Sequence, residues 1–117
     1  MGMALKVDVE HASRLAGTAR PIDLVHLSSM TMGDRSLEVE ILRMFVSQIP
    51  TYSELAKSAD CSNEIRQLAH TIKGSARGIG AFELGEVARE AEETGVFNLP
   101  ALSAAFDDVE AYVAELI

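Results

Sequence analysis

The chain has 117 residues, a formal net charge of −8 at pH 7 and no tryptophan. This length suits one domain with a single buried core, and many Ala, Leu, Glu and Arg residues with only three prolines favour helices. The negative charge argues against binding nucleic acid through its phosphates and against an anionic membrane surface. No apolar run approaches the roughly 20 residues of a membrane span, and the lone Cys61 forms no internal disulfide. We therefore expect a monomer in a reducing cytoplasm.

Residues 1–20 show no clean hydrophobic period and include Gly17, so we predict an N-terminal extension, in which a short helix near Val7–Leu15 is one option. Residues 21–117 have the pattern of one helical domain. Asp23 is the expected N-cap of a short helix that runs through Met30. A turn at residues 32–34 follows it.

A long helix is predicted next, because apolar residues recur at three- and four-residue spacing. Either Asp34 or Ser36 caps it, and Pro50 predicts a kink near residues 48–50 rather than a break. The apolar positions are Ile41, Leu42, Phe45, Ile49, Tyr52, Leu55 and Ala59.

A central helix follows the polar connection at residues 60–63, and Gly78 and Gly80 weaken its C-terminal end. One side of this helix is apolar. It carries Ile65, Leu68, Ile72, Ala76 and Ile79.

Two further helices complete the pattern. The first begins near Phe82 and closes at Gly95, and the last starts at residues 98–100, where Pro100 suits a first-turn position. Their apolar stripes are Leu84, Val87, Ala88 and Ala91 in one, and Leu102, Phe106, Val109, Val113 and Leu116 in the other. Four amphipathic helices joined by short turns predict an all-α fold, an antiparallel up-down four-helix bundle with an additional short N-terminal helix.

His70 points away from the apolar side of the central helix. Arg66 precedes it by four positions and Lys73 follows it by three, so cations adjoin the imidazole, and Arg77 lies one turn further on. Gly74 bares the helix backbone one turn after His70. A mid-helix glycine lowers helix stability by about 1 kcal/mol relative to alanine. Its position beside His70 suggests that the ring must stay accessible. The pattern indicates a surface histidine that carries an anion.

The twelve residues from His70 to Ala81 read His-x-x-Lys-Gly-Ser-Ala-x-x-Ile-Gly-Ala. This string closely resembles the motif of histidine phosphotransfer (HPt) domains, small helical bundles that pass a phosphoryl group to and from aspartates of response-regulator receiver domains. The helix plan extends the resemblance to most of the chain from Pro21 onward. The resemblance implies that His70 is the phosphorylated residue.

A carboxylate bonded to Nδ1–H of His70 would fix the tautomer and leave Nε2 as the nucleophile. In the HPt family a Gln or Glu that lies 22 residues after the histidine has this role, and Glu92 stands at that distance. Glu is also the choice of the chemotaxis-kinase phosphotransfer domains. Lys73 is the expected partner of the roughly two negative charges of the phosphoryl group, with Arg77 next.

Other positions around the motif are weaker candidates for phosphate contact or docking. They are Arg66, Gln67 and Ala81, together with the helix after Asp23. Arg66 and Arg77 are also typical of a solvated helix face that keeps a protein soluble. Glu92 also fits the description of an ordinary surface carboxylate. We expect His11 and His26 to be surface or partly packed residues.

The predicted function is that of a phosphorelay intermediate. His70 would accept a phosphoryl group from a receiver-domain aspartate or a kinase and pass it to a response-regulator aspartate. The expected partners are response-regulator receiver domains and a sensor histidine kinase. Nothing resembles an ATP-binding loop, so we expect no ATP-dependent kinase activity.

Two alternatives remain. A docking module of the same fold would bind receiver or kinase domains without being phosphorylated. A metal- or cofactor-binding bundle would place Glu-x-x-His pairs inward, and the chain has none. We therefore expect no metal and no cofactor on this chain, and Mg²⁺ on the partner receiver domain.

Overall fold

A computed structural model describes residues 20–117. Within this range the chain is all-α, with five helices and no strand, as the hydrophobic periods predict. The helices are α1 (Leu24–Thr31), α2 (Arg35–Ser58), α3 (Ser62–Gly78), α4 (Phe82–Thr94) and α5 (Leu99–Leu116). The predicted extension, with its optional helix at Val7–Leu15, falls on residues outside the described part of the chain, except for Arg20.

Three of the helices begin at a side-chain cap. Asp23 accepts hydrogen bonds from the backbone N–H groups of Val25 and His26, at 3.0 and 3.1 Å. Asp34, rather than Ser36, caps α2, and Asn98 caps α5. These caps satisfy N–H groups that have no partner inside the helix, so the local sequence determines where the helices start.

Helix α2 continues through Pro50 without a break, as predicted, but its buried side differs from the predicted stripe. Leu55 is 49 % exposed, and Ala56 is buried in its place. The buried residues of α2 are Leu42, Phe45, Ile49, Tyr52 and Ala56. In α3 the buried stripe is also rotated, because Ala69 is buried while Ile65 and Leu68 are only partly so.

The helices surround one hydrophobic core. Each of α3, α4 and α5 packs against the helix before it, and α5 also packs against α2, while α1 packs against α2. The most extensive of these contacts joins α3 to α4, and most of the buried residues of these two helices are small. The small ones are Ala69, Ala76, Gly85, Ala88 and Ala91, and the large ones are Ile72 and Leu84. Small side chains let two helix backbones approach closely, which brings polar residues on their rims within hydrogen-bonding distance.

The turn between α3 and α4 is joined to the segment that leads into α1. The N–H of Asp23 donates to the carbonyl of Gly80 at 2.8 Å, and Ile22 beside it is fully buried. Gly80 has a φ of +86°, and a Cβ there would lie 2.8 Å from the carbonyl oxygen of Asp23. Both the backbone angle and the close approach therefore require glycine. Among residues 20–117, no helix combines the length and the apolar character that a membrane span needs.

Candidate functional site

His70 lies in the middle of α3, on its outer side. Its neighbours Ala69 and Ile72 are fully buried, whereas 70 % of the His70 side chain is exposed. The helix therefore carries the imidazole on the wall of the bundle, with its inner side anchored in the core. The predicted outward placement of this ring is confirmed.

Glu92 of α4 makes the first polar contact with the ring. Its Oε2 lies 2.8 Å from His70 Nδ1, a hydrogen bond between residues on two helices. Hydrogen bonds from Lys73 and then from His70 lower the pKa of Glu92 below its ordinary value of 4.5, so the carboxylate is ionised at neutral pH. An ionised carboxylate only accepts, which makes Nδ1 the protonated nitrogen. In the neutral ring Nε2 carries the lone pair, and this nitrogen has no hydrogen-bond partner in the described part of the chain.

Lys73 makes the second contact with the same carboxylate. Its Nζ lies 2.6 Å from Glu92 Oε1, and 21 % of the lysine side chain is exposed. The two oxygens of Glu92 are thus divided between His70 and Lys73. We expected Lys73 to be available to a phosphoryl group, and in the unmodified protein its ammonium is held by Glu92.

Gly74 leaves open space beside His70. A Cβ built at this glycine meets no atom within 4 Å other than its immediate surroundings in the helix, and the residue is exposed. Nothing in the packing of α3 requires glycine here. The packing therefore tolerates a side chain here, and the role of Gly74 in access to His70 stays a prediction.

The two arginines of α3 are directed toward α4 and not toward His70. Arg77 packs its side chain over Gly85, and its guanidinium lies 3.7 Å from Glu86. Arg66 donates to the carbonyl of Glu93 at 3.5 Å, at the C-terminal end of α4. A cation near the last carbonyls of a helix stabilises it, so Arg66 has a local structural role.

The structure corrects one predicted docking residue. Ala81 has an exposed fraction of 0 %, because the turn between α3 and α4 lies beneath the segment before α1. It therefore contacts no partner directly, and the prediction was wrong. Gln67 is exposed, as docking requires. His26 packs its ring edge-on against Phe82, with centroids 5.2 Å apart, so it is partly packed as expected. His11 lies outside the described residues.

Two features of the helices that carry the site were not predicted from the sequence. The first is a groove of about 400 Å³ between α2 and α3, which includes Leu55, Gln67, Leu68 and Thr71 among its lining residues. The apolar spacing of α2 predicts Leu55 in the core, whereas it is exposed and lines this groove. The second is a series of ion pairs on α4. Its signal was the spacing of residues 86, 89 and 93, since charges three and four positions apart adjoin on a helix.

Potential metal ligands lie together at one place within residues 20–117. Asp60, Cys61 and Glu64 bring their ligand atoms within 4.8 Å of one another at the start of α3. All three are exposed, and exposed acidic groups commonly lie together without an ion. We assign no metal to them.

A family model for the Hpt domain matches residues 40–117, two thirds of the chain, including His70 and Glu92. The chain belongs to the Hpt domain family. Among curated proteins and among solved structures, no match to it is found. Hpt domains are helical bundles that act in two-component phosphorelays by histidine phosphotransfer, and they interact with receiver domains and kinases.

Proposed function

We propose that this Hpt protein is a phosphorelay intermediate, in which Nε2 of His70 accepts a phosphoryl group from a receiver-domain aspartate and returns it to a response-regulator aspartate. A sensor kinase is the alternative donor. The observation that carries the proposal is the 2.8 Å bond between Nδ1 of a largely exposed imidazole and the carboxylate of Glu92. This bond directs the second ring nitrogen outward as a nucleophile.

The transfer step follows from this tautomer. The lone pair of Nε2 attacks the phosphorus of an aspartyl phosphate on the partner. The Nε2–P bond forms as the P–O bond to the aspartate breaks, and the electron pair of the broken bond leaves with the aspartate carboxylate. Nδ1 keeps its proton, so the positive charge that the ring gains faces Glu92. The reverse sequence delivers the group to the next aspartate.

A cation beside His70 would offset the negative charge that a phosphoryl group adds there. The phosphoryl group brings roughly two negative charges close to Glu92. Lys73 is the cation nearest to both, since it already contacts Glu92 and follows His70 by one helical turn. An ammonium has three N–H donors, so Lys73 can contact the phosphoryl group as well as the carboxylate. Arg77 is a lesser candidate because it contacts Glu86.

Most of the catalysis in phosphoryl transfer is positioning and charge stabilisation. In this proposal the chain supplies the nucleophile and its local charges, while Mg²⁺ belongs to the receiver domain. The receiver docks over Gly74 and the groove between α2 and α3, where Gln67 and the exposed Leu55 offer polar and apolar contacts. The protein acts as a cytoplasmic monomer without ATP-dependent kinase activity.

The proposed arrangement of α2 to α5 is an antiparallel up-down four-helix bundle. Three contacts support it. Arg35, at the start of α2, donates to the carbonyl of Leu116 near the end of α5, at 2.8 Å. Residues 66 and 77 of α3 contact residues 93 and 86 of α4, in reversed order.

The test is transfer of radiolabelled phosphate from a phosphorylated receiver domain to the purified protein. We expect an acid-labile, alkali-stable label that is lost in His70→Gln. His26→Gln is the matched control and should keep the label, because His26 lies apart from Glu92 and packs on Phe82. Circular dichroism checks that both variants fold. Full labelling of folded His70→Gln would refute the site, and an unlabelled wild-type protein that still binds the receiver would favour the docking module.

A further inference from the structure

The stem of Arg77 lies in a depression on α4. A Cβ built on Gly85 would be 3.2 Å from Cγ of Arg77, and the three atoms nearest to that Cβ all belong to Arg77. Gly85 is buried, so the side chain that it lacks leaves a space which the arginine stem covers. The glycine therefore makes room for one particular side chain and fixes the direction in which it leaves α3.

The guanidinium at the end of this stem makes little use of its donors. Its Nη2 lies 3.7 Å from Oε2 of Glu86, beyond hydrogen-bonding distance. Both oxygens of Glu86 accept instead from Nε of Arg89, at 3.1 and 3.2 Å. The Arg77 side chain is 44 % exposed and donates no hydrogen bond to any group of residues 20–117. Its five N–H donors are thus available to an acceptor from outside the chain.

Arg77 and His70 lie on the same side of α3. Seven residues are close to two helical turns, which places Arg77 about 10 Å from His70 along the helix axis. A specific protein interface covers about 800 Å² of each partner, a patch with a radius of about 16 Å. A domain that docks with its centre over His70 therefore also covers Arg77, although the guanidinium does not reach the transferred group.

We propose that Arg77 is a docking residue, which binds a carboxylate side chain of the receiver domain while His70 exchanges the phosphoryl group with that domain. The inference rests on the proposed function and adds a specificity-determining contact to it. The planar fork of a guanidinium matches a carboxylate through two parallel hydrogen bonds, so an acidic side chain is the partner that fits best. Because the stem is already held at Gly85, little side-chain freedom is lost when the contact forms.

The test measures transfer from a phosphorylated receiver domain at a series of receiver concentrations, for the wild type and Arg77→Gln. We expect the half-saturating concentration to rise about fivefold to tenfold, within the range of coupling energies between contacting residues. The maximal rate should stay within about twofold, because the contact is remote from the reacting atoms. Added salt should weaken docking of the wild type more than that of the variant. Arg43→Gln removes the same charge from an exposed arginine of α2 and should keep the wild-type values.

Two further variants test the depression and the partner. Gly85→Ala presses a Cβ against the stem of Arg77, so it should raise the half-saturating concentration in the wild type and not in the Arg77→Gln background. Arg77→Glu should weaken docking further, and one Asp→Lys or Glu→Lys change in the receiver should restore it. An unchanged half-saturating concentration in Arg77→Gln, an equal rise in Arg43→Gln, or the lack of a restoring receiver variant would each overturn the inference.

A purely structural role of Arg77 gives a different result. A cation in the last turn of a helix stabilises that helix, and Arg77 is in the last turn of α3. If this were its whole role, Arg77→Gln would lower the melting temperature and leave docking unchanged, which would overturn the inference.

The inference and the proposed function fail separately. Unchanged docking in Arg77→Gln leaves phosphotransfer standing, provided that the wild type is labelled and His70→Gln is not. A wild type that accepts no label would refute the proposed function. Calorimetric binding of the same receiver domain without its phosphoryl group then tests the contact by itself. Weaker binding by Arg77→Gln than by the wild type would support the contact, and equal affinity or no binding would overturn it.

Discussion

Replacement of Gly74 separates stability from function. A Cβ at this position meets no atom within 4 Å, and the residue lies inside α3. Alanine at a helix-interior glycine gains about 0.5–1 kcal/mol when the site has room. For a domain of this size that gain raises the melting temperature by roughly 3–6 °C. Gly74→Ala should therefore fold more stably than the wild type.

The same substitution should slow phosphotransfer, because the added carbon lies next to the approach to His70. Gly74→Leu extends the obstruction and still meets open space at its Cβ. A displacement of the reacting atoms by about 1 Å costs up to about a hundredfold in rate, so we expect a loss between about tenfold and a hundredfold for leucine and a smaller one for alanine. Stability and rate would then change in opposite directions.

The assay combines thermal unfolding by circular dichroism with the rate of label transfer from a receiver domain. Gly78→Ala is the matched control. Gly78 is also in α3 and also has no atom within 4 Å of a built Cβ, but it lies one turn further from His70. It should gain similar or less stability and keep the wild-type rate. Transfer at the full rate in Gly74→Leu would refute the reasoning about access.

Two further predictions concern stability. Gly80→Ala should lower the free energy of unfolding in urea by about 1–3 kcal/mol, since the backbone is left-handed and the Cβ would meet the carbonyl of Asp23; an unchanged midpoint would contradict this. The pKa of Glu92 is lowered from 4.5 in the folded protein, so its ionised form stabilises the fold above that pH and loses this effect as the pH falls below it. The difference in urea midpoint between the wild type and Glu92→Gln should therefore be largest near neutral pH and shrink in acid. A difference that does not change with pH would argue against the contacts of Glu92 with Lys73 and His70.

Local signals accounted for most of the helix plan. Asp23 and Asn98 cap their helices because the side-chain oxygen and the N–H groups it accepts from lie within three residues. Gly95 ends α4 with a positive φ, as its position predicted. Contacts of this range depend on the chain nearby, so they can be predicted from the order of residues alone.

The direction of each buried face was less predictable. Leu55 and Ala56 are neighbours, and hydrophobicity favours leucine for the core, yet the alanine is buried. On α3 the alanine at position 69 is buried while Leu68 is only partly covered. Several rotations of a helix bury comparable apolar area, and the neighbouring helices select one. Where helices pack closely, small residues fit the interface and large ones move to its edge.

The sequence by itself determined the chemistry offered by this protein: an outward histidine, a carboxylate 22 residues later, and a lysine and a glycine one turn from the ring. Only the tertiary structure decided how these groups are paired. It directed Lys73 to Glu92, turned Arg66 and Arg77 toward α4, and buried Ala81. The reason is physical. Spacing along one helix decides which side chains share a face, but a charged group pairs with whichever residue of a neighbouring helix brings a polar atom within about 3 Å of it.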